Sequence, residues 1–316
     1  YYWDAEQVKL NQVYFYPTEN ITTEERMFRA GQLHYTYEVP IDKIAIYREK
    51  QSQELQIYPY LGSYFYRFNT KVKHLRDKRV RRALAMAVDR QKITDQILKA
   101  GQVPAYAITP PNTMGYYPQS NLGFDPDKAR ALLAEAGYPD GQGFPKTEIL
   151  YNTQEEHRKV AVAIQQMWKE VLNIDVVLLN QEWKVYLDNV ANGHYEIARG
   201  SWIGDYVDPN NFLDMWLCDG GNNRTGWCNS DYDRMILEQT PQAKNHAERL
   251  KTFTQAEKLL LDNMPVLPLY IYVSKHLVSP SIKNFPPNIL NQPSFKEIYL
   301  EDSSHTSSDY NSKEPD

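Results

Sequence analysis

No stretch of this 316-residue chain approaches 18 uninterrupted apolar residues, so nothing reads as a membrane-crossing helix. The opening "YYWDAEQVKL" has neither the basic nor the apolar region of a signal peptide, and no initiator Met stands before it. The expectation is a soluble chain that is a processed product or an excised piece. Positive charge is not in surplus: 35 Lys and Arg face 40 Asp and Glu, giving a net charge of -5 and a pI near 5.9. With no basic run interleaved with aromatics, nucleic acid is excluded as a partner. No HExxH, GxSxG, GxGxxG, P-loop or EF-hand pattern occurs in any frame, so no enzyme, cofactor or metal is expected.

Cysteine is scarce. Cys218 and Cys228 bracket "DGGNNRTGW", without the further Cys or His of a zinc site and without CxxC spacing. The Gly- and Asn-rich loop could bring them together, and spacing alone leaves both a disulfide and two buried thiols open. A disulfide closing about 11 residues would contribute roughly 3 kcal/mol and imply an oxidising compartment.

Against these absences stand 24 Tyr and 13% aromatic residues. Tyr joins apolar area to a hydrogen-bonding tip, which suits recognition surfaces as well as cores. At 316 residues and 42% hydrophobic, the chain exceeds what one core holds, so more than one lobe is expected.

Along the chain, residues 7–16 alternate like a strand, "TTEERMFRAG" reads as a short helix, and "QLHYTYEV" as another strand. A helix near Lys43 to Lys50 follows, and then Leu55 to Asn69 reads as a long aromatic strand or a pair broken at Pro59 and Gly62. Asp77 to Lys99 reads as one helix with Val80, Ala83, Leu84, Ala87 and Val88 at core spacing. "DPDKARALLAEAG" has Asp125 as N-cap, Pro126 at N1 and Gly137 as stop. From Thr147 to Ser201 the pattern is strand, helix, strand, helix, strand, which implies parallel neighbours with right-handed crossovers. Asn245 to Leu261 reads as a helix and "VLPLYIYV", which holds Tyr272, as a buried strand.

In such a sheet ligands gather beyond the carboxyl ends of the strands. Three successive loops there offer His157, Glu182 with Trp183, and Trp202 with Asp205. Asp205 is also readable as a turn residue ahead of Asp208-Pro209-Asn210. Its flanking Trp202 and Tyr206 would instead lower the local dielectric and strengthen attraction to a cationic ligand group. Arg199, on the preceding strand, needs a partner or water. An acid pair of Glu182 and Asp205 for glycosidic cleavage is the weaker alternative.

The segments "RVRRALAMAVDRQKI", "AYAITPP", "ARALLAEAGYPDG", "NQEWKVYL", "WIGDYVDPNNF" and "GGNNRTGWC", in that order, resemble the extracytoplasmic solute-binding proteins of ABC importers, family 5, the dipeptide, oligopeptide and nickel group. Oligopeptide-binding members are the nearest in pattern. The resemblance implies an α/β periplasmic-binding-protein-like fold of the three-lobed type II group, of which this chain holds the C-terminal portion. It places 1–61 in the first lobe, 62–273 in the third, peptide-binding lobe and 274–300 in a return to the first, with 301–316 a polar tail. The N-terminal part and the small second lobe are missing.

The resemblance also implies function. Asp205 inherits the role of binding a peptide α-ammonium, Trp183 and Trp202 line pockets, and Arg199 and His157 meet the peptide carboxyl end; Glu182, Tyr206 and Tyr272 complete the expected ligand-contacting set. Short peptides and an importer permease are the implied partners of a monomeric protein in the periplasm or another extracytoplasmic location. Murein peptide, dipeptide, nickel chelate and haem are the alternative ligands. A family arginine position falls at Val190 and a lysine position at Leu98, so the peptide length is left open. The cysteine pair, seen in many relatives, is implied to be a disulfide.

Overall fold

The computed structural model describes residues 2–119 and 122–301. The end of the polar tail, 302–316, lies outside them. The chain divides into two compact units. One gathers residues 2–60 and 273–301, and the other runs Leu61–Tyr272.

The first unit carries helices α1 (Ile21–Arg29) and α2 (Ile41–Glu49). Asn20 caps α1, accepting from the Thr22 and Thr23 amides at 2.9 and 3.0 Å. The strands expected at 7–16 and in "QLHYTYEV" do not form. The first stretch is irregular after a short 3-10 turn that ends at Gln7, and largely exposed, with no ladder partner among the described residues, and the second contributes one isolated bridge, Tyr35 to Val278. Alternation marks two faces, but a strand also needs a neighbour to take its amides and carbonyls.

The second unit is organised on a six-stranded mixed sheet in the order β2-β6-β1-β5-β3-β4. The strands are β1 (Leu55–Phe68), β2 (Val103–Pro104), β3 (Thr147–Asn152), β4 (Val176–Gln181), β5 (Ile197–Ile203) and β6 (Val266–Leu277). β3 runs parallel to both β4 and β5, with α5 (Glu155–Leu172) and α6 (Trp183–Ala191) as crossovers. β5 then pairs antiparallel with β1 over seven residues, from Gly62 opposite Ile203 to Phe68 opposite Ile197.

The helix expected over 77–99 is divided. α3 (Lys78–Met86) ends, and a new turn starts at Arg90 because the Asp89 carboxylate accepts the Lys92 amide at 3.0 Å. The buried Arg90 guanidinium takes the Ala85 and Val88 carbonyls that this break exposes, both at 3.2 Å. α4 (Pro126–Glu135) has Asp125 accepting the Lys128 amide at 3.0 Å and Pro126 in its first turn, and Gly137 follows with φ +99°. α7 (His246–Asn263) packs its buried Phe253, Ala256 and Leu260 inward. It carries one buried acid: Glu257 accepts from the Ile108 and Thr109 amides at 3.0 and 2.8 Å and from the Tyr116 hydroxyl at 2.7 Å. This fixes the irregular connection that the sequence leaves without periodicity.

Candidate functional site

The site is built around the second half of β5. β3 pairs with β5 only at Ile197 and Ala198, after which Tyr151 and Asn152 pair with β4 alone. From Arg199 to Ile203, β5 is therefore bonded to β1 on one side and, among the described residues, has no ladder partner on the other, which leaves an open edge. The Tyr186 hydroxyl donates to the Arg199 carbonyl where that edge begins. Close packing holds the segment in place. A Cβ at Gly200 would stand 2.5 Å from the Phe65 ring, and one at Gly204 2.7 Å from Leu61 Cδ2.

The loop leaving β5 sorts its acids. Asp208 is structural: it makes a two-pronged ion pair with Arg249 at 2.7 and 2.8 Å and accepts the Asn210 amide at 2.9 Å. Asn211 Oδ1 accepts both the Trp202 indole N–H, at 2.8 Å, and the Asp205 amide, at 3.2 Å. Asp205 is thus positioned by its backbone, while its exposed carboxylate has no hydrogen bond or ion pair among the described residues. Burial, and then the negative charge of Asp205, raise the carboxyl of the neighbouring Asp214. Tyr206 beside it is 46% exposed.

At the start of the edge lies a second cluster. Arg199, 7% exposed, donates to the Tyr272 hydroxyl at 2.9 Å and to Asn152 Oδ1 at 3.5 Å, and lies 4.9 Å from the Tyr64 ring centroid. It has no acidic partner among the described residues, and its Nε is buried without a bond. Burial works against its charge, and the negative charge that Tyr272, Tyr64, Tyr186 and Tyr270 carry once ionised more than offsets this, moving its pKa up. Burial also raises the phenols of Tyr64, Tyr66, Tyr270 and Tyr272, so at neutral pH this is a cation in a nest of uncharged rings. Tyr64 stacks on Tyr270 with centroids 4.5 Å apart. His157 is buried in the first turn of α5, its Nδ1 3.4 Å from the Tyr64 hydroxyl.

The remaining candidates begin α6. Glu182 is its N-cap, accepting the Lys184 amide at 2.9 Å and the Val185 amide at 3.4 Å. Trp183 is 49% exposed and stacks on Tyr186 at 5.7 Å. The structure thus brings Arg199, His157 and Tyr272 together, and groups Trp202, Asp205 and Tyr206 at the far end of the same edge. Glu182 and Trp183 stand on α6. Sequence reasoning missed Tyr64, Tyr270, Asn152 and Asn211. The two Tyr lie in aromatic strands whose alternation signals a face but not its use, and Asn211 is legible only as part of a turn.

Cys218 and Cys228 form a disulfide with Cα atoms 4.4 Å apart. The loop between them is tied by Asn223 Nδ2, which donates to the Trp216, Leu217 and Trp227 carbonyls.

The profile of the bacterial extracellular solute-binding proteins, family 5 Middle, matches residues 1–224. The oligopeptide-binding protein OppA of Bacillus subtilis is 33% identical over 310 residues, covering 95% of this chain and 56% of that protein. The periplasmic murein peptide-binding protein MppA of Escherichia coli is 34% identical over 294 residues, covering 91% and 54%. Haemophilus influenzae OppA, solved in complex with the peptide RPPGFSPFR, superposes with a TM-score of 0.85 at 32% identity, covering 95% of this chain and 60% of that one. The chain spans little more than half the length of the curated relatives it matches. With an α/β fold, a profile match over most of its length and this similarity, the chain belongs to the extracellular solute-binding proteins of family 5.

Proposed function

We propose that this chain captures short oligopeptides for an ABC importer in an extracytoplasmic compartment, and that the unit Leu61–Tyr272 is its peptide-binding lobe. In this reading the peptide lies extended along the open edge of β5. Its main chain takes those amides and carbonyls of Gly200 to Ile203 that face away from β1, a mode of recognition that ignores side-chain identity. Its α-ammonium meets Asp205, with Trp202 and Tyr206 as apolar flanks. Its carboxylate approaches the Arg199 end, where His157 and Tyr272 also stand. Arg199 and Asp205 are six positions apart, about 20 Å of extended strand, which suits a peptide of a few residues. Trp183 lines the approach and Glu182 acts by fixing the helix that carries it. The chain acts as a binder and not as a catalyst.

The observation that carries the reading is the Asp205 carboxylate: held by its backbone, unneutralised, and two residues beyond the open edge. Murein peptide, dipeptide, nickel chelate or haem would use the same fold, but a free carboxylate at the strand end favours a ligand with a terminal ammonium. Calorimetric titration with a pool of tri- to pentapeptides and its N-acetylated counterpart tests it. Asp205→Ala should weaken binding about 100-fold or more without moving the melting temperature, and acetylation should do the same to the parent. Binding indifferent to both changes would discard the ammonium assignment.

A further inference from the structure

Arg67 lies on β1 opposite Ala198 of β5. Directly opposed residues share a face, and Ala198 packs with Tyr186, Val190 and Tyr195 under α6. Arg199, opposite Tyr66, belongs to the other face. The Arg67 guanidinium carbon sits 5.3 Å from the Phe65 ring centroid. It makes no hydrogen bond or ion pair among the described residues; Nε is sealed from solvent without a partner, and the outer nitrogens are left to solvent.

Burial pushes its pKa down; Tyr186 and Tyr195 oppose this and the charges of Arg199 and Arg224 add to it. The phenols of Tyr186 and Tyr195 are themselves raised by burial and carry no charge at neutral pH. Arg224 is exposed with no side-chain partner among the described residues. The Tyr195 hydroxyl donates to the Arg224 carbonyl, which puts Arg224 on the same face as Arg67, and no carboxylate is bonded to either guanidinium among the described residues. Such a group is costly to keep unless an anion comes to it. Tyr186 ties it to the open edge: its hydroxyl meets the Arg199 carbonyl and its ring stacks on Trp183.

We propose that Arg67, with Arg224 at the rim, forms a side-chain pocket that selects an acidic residue of the bound peptide. The pocket rests on the peptide-binding reading and adds to it a preference that main-chain recognition does not supply.

The test is calorimetry of the whole chain with tetra-alanine and with variants carrying Glu or Gln at each of the four positions in turn. At one position Glu should bind about tenfold or more tighter than its isostere Gln. Arg67→Gln should abolish that difference and Arg67→Glu should turn it into a preference for Lys, with tetra-alanine affinity kept in both. Equal binding of Glu and Gln at every position, or a Glu preference that survives in Arg67→Gln, overturns the pocket. If Arg67→Gln also loses tetra-alanine, Arg224→Gln decides: a severalfold smaller Glu preference supports the pocket and an unchanged one overturns it. Failure of tetra-alanine to bind the parent overturns the peptide reading itself, so the two failures are told apart.

Discussion

Two carboxylates mark two regions of the Leu61–Tyr272 unit that are organised on opposite terms. Around Glu257 the acid itself is satisfied: two backbone amides and a Tyr hydroxyl point at one buried carboxyl, and the connection 105–116 is pinned by it. Around Asp205 the neighbours are satisfied and the acid is not. Asn211 and Asp208 spend their side chains on holding the loop, which leaves one charge free. A group fully bonded inside the protein contributes stability, whereas a group positioned but left unbonded is available to a ligand.

The sharpest way to break this contrast is to empty the first region. Glu257→Ala leaves two amides and a hydroxyl without an acceptor in a buried place and should cost about 4 kcal/mol, read by urea unfolding, while a peptide retained by the folded fraction keeps its dependence on Asp205. The second region should respond less. Asp208→Ala removes the two-pronged pair with Arg249 and one turn bond, costs about 1 kcal/mol, and loosens the mount of Asp205, so peptide affinity falls severalfold while Asp205→Ala leaves stability alone.

The smallest change concerns charge only. Burial raises the Glu257 carboxyl above its ordinary 4.5. Its contribution is complete below that value, where both states hold the proton, and is lost as pH rises through the folded value. Glu257→Gln, which cannot ionise, should melt above the parent at pH 7 and together with it near pH 4. A gain of equal size at both pH values would show that the carboxyl is not raised.

The same contrast explains what was legible in the sequence. The run of strands and helices from Thr147 to Ser201 is readable because each strand finds its partner within the run, so periodicity and pairing agree. Residues 7–16 alternate as well as any of them, but no ladder partner stands among the described residues, and alternation alone cannot supply one. The break after α3 escapes a reading of core spacing because Val88 keeps the apolar rhythm while Asp89 caps a new turn. Asp205 can be singled out from its flanking aromatics. That Asp208, three residues on, is the structural acid depends on Arg249, 41 positions away, and that Glu182 serves as a cap depends on where α6 begins.

The open edge of β5 also bears on how copies of the chain meet. Bare strand edges invite pairing with the same edge of another molecule, the first step toward aggregates. Here the unpaired stretch is only a few residues long, with a buried guanidinium at one end and an unneutralised carboxylate at the other. A second copy laid parallel along it would set like charge against like, whereas a short zwitterionic chain running the right way would meet opposite charge at both ends. The features that welcome a ligand therefore also discourage that self-pairing.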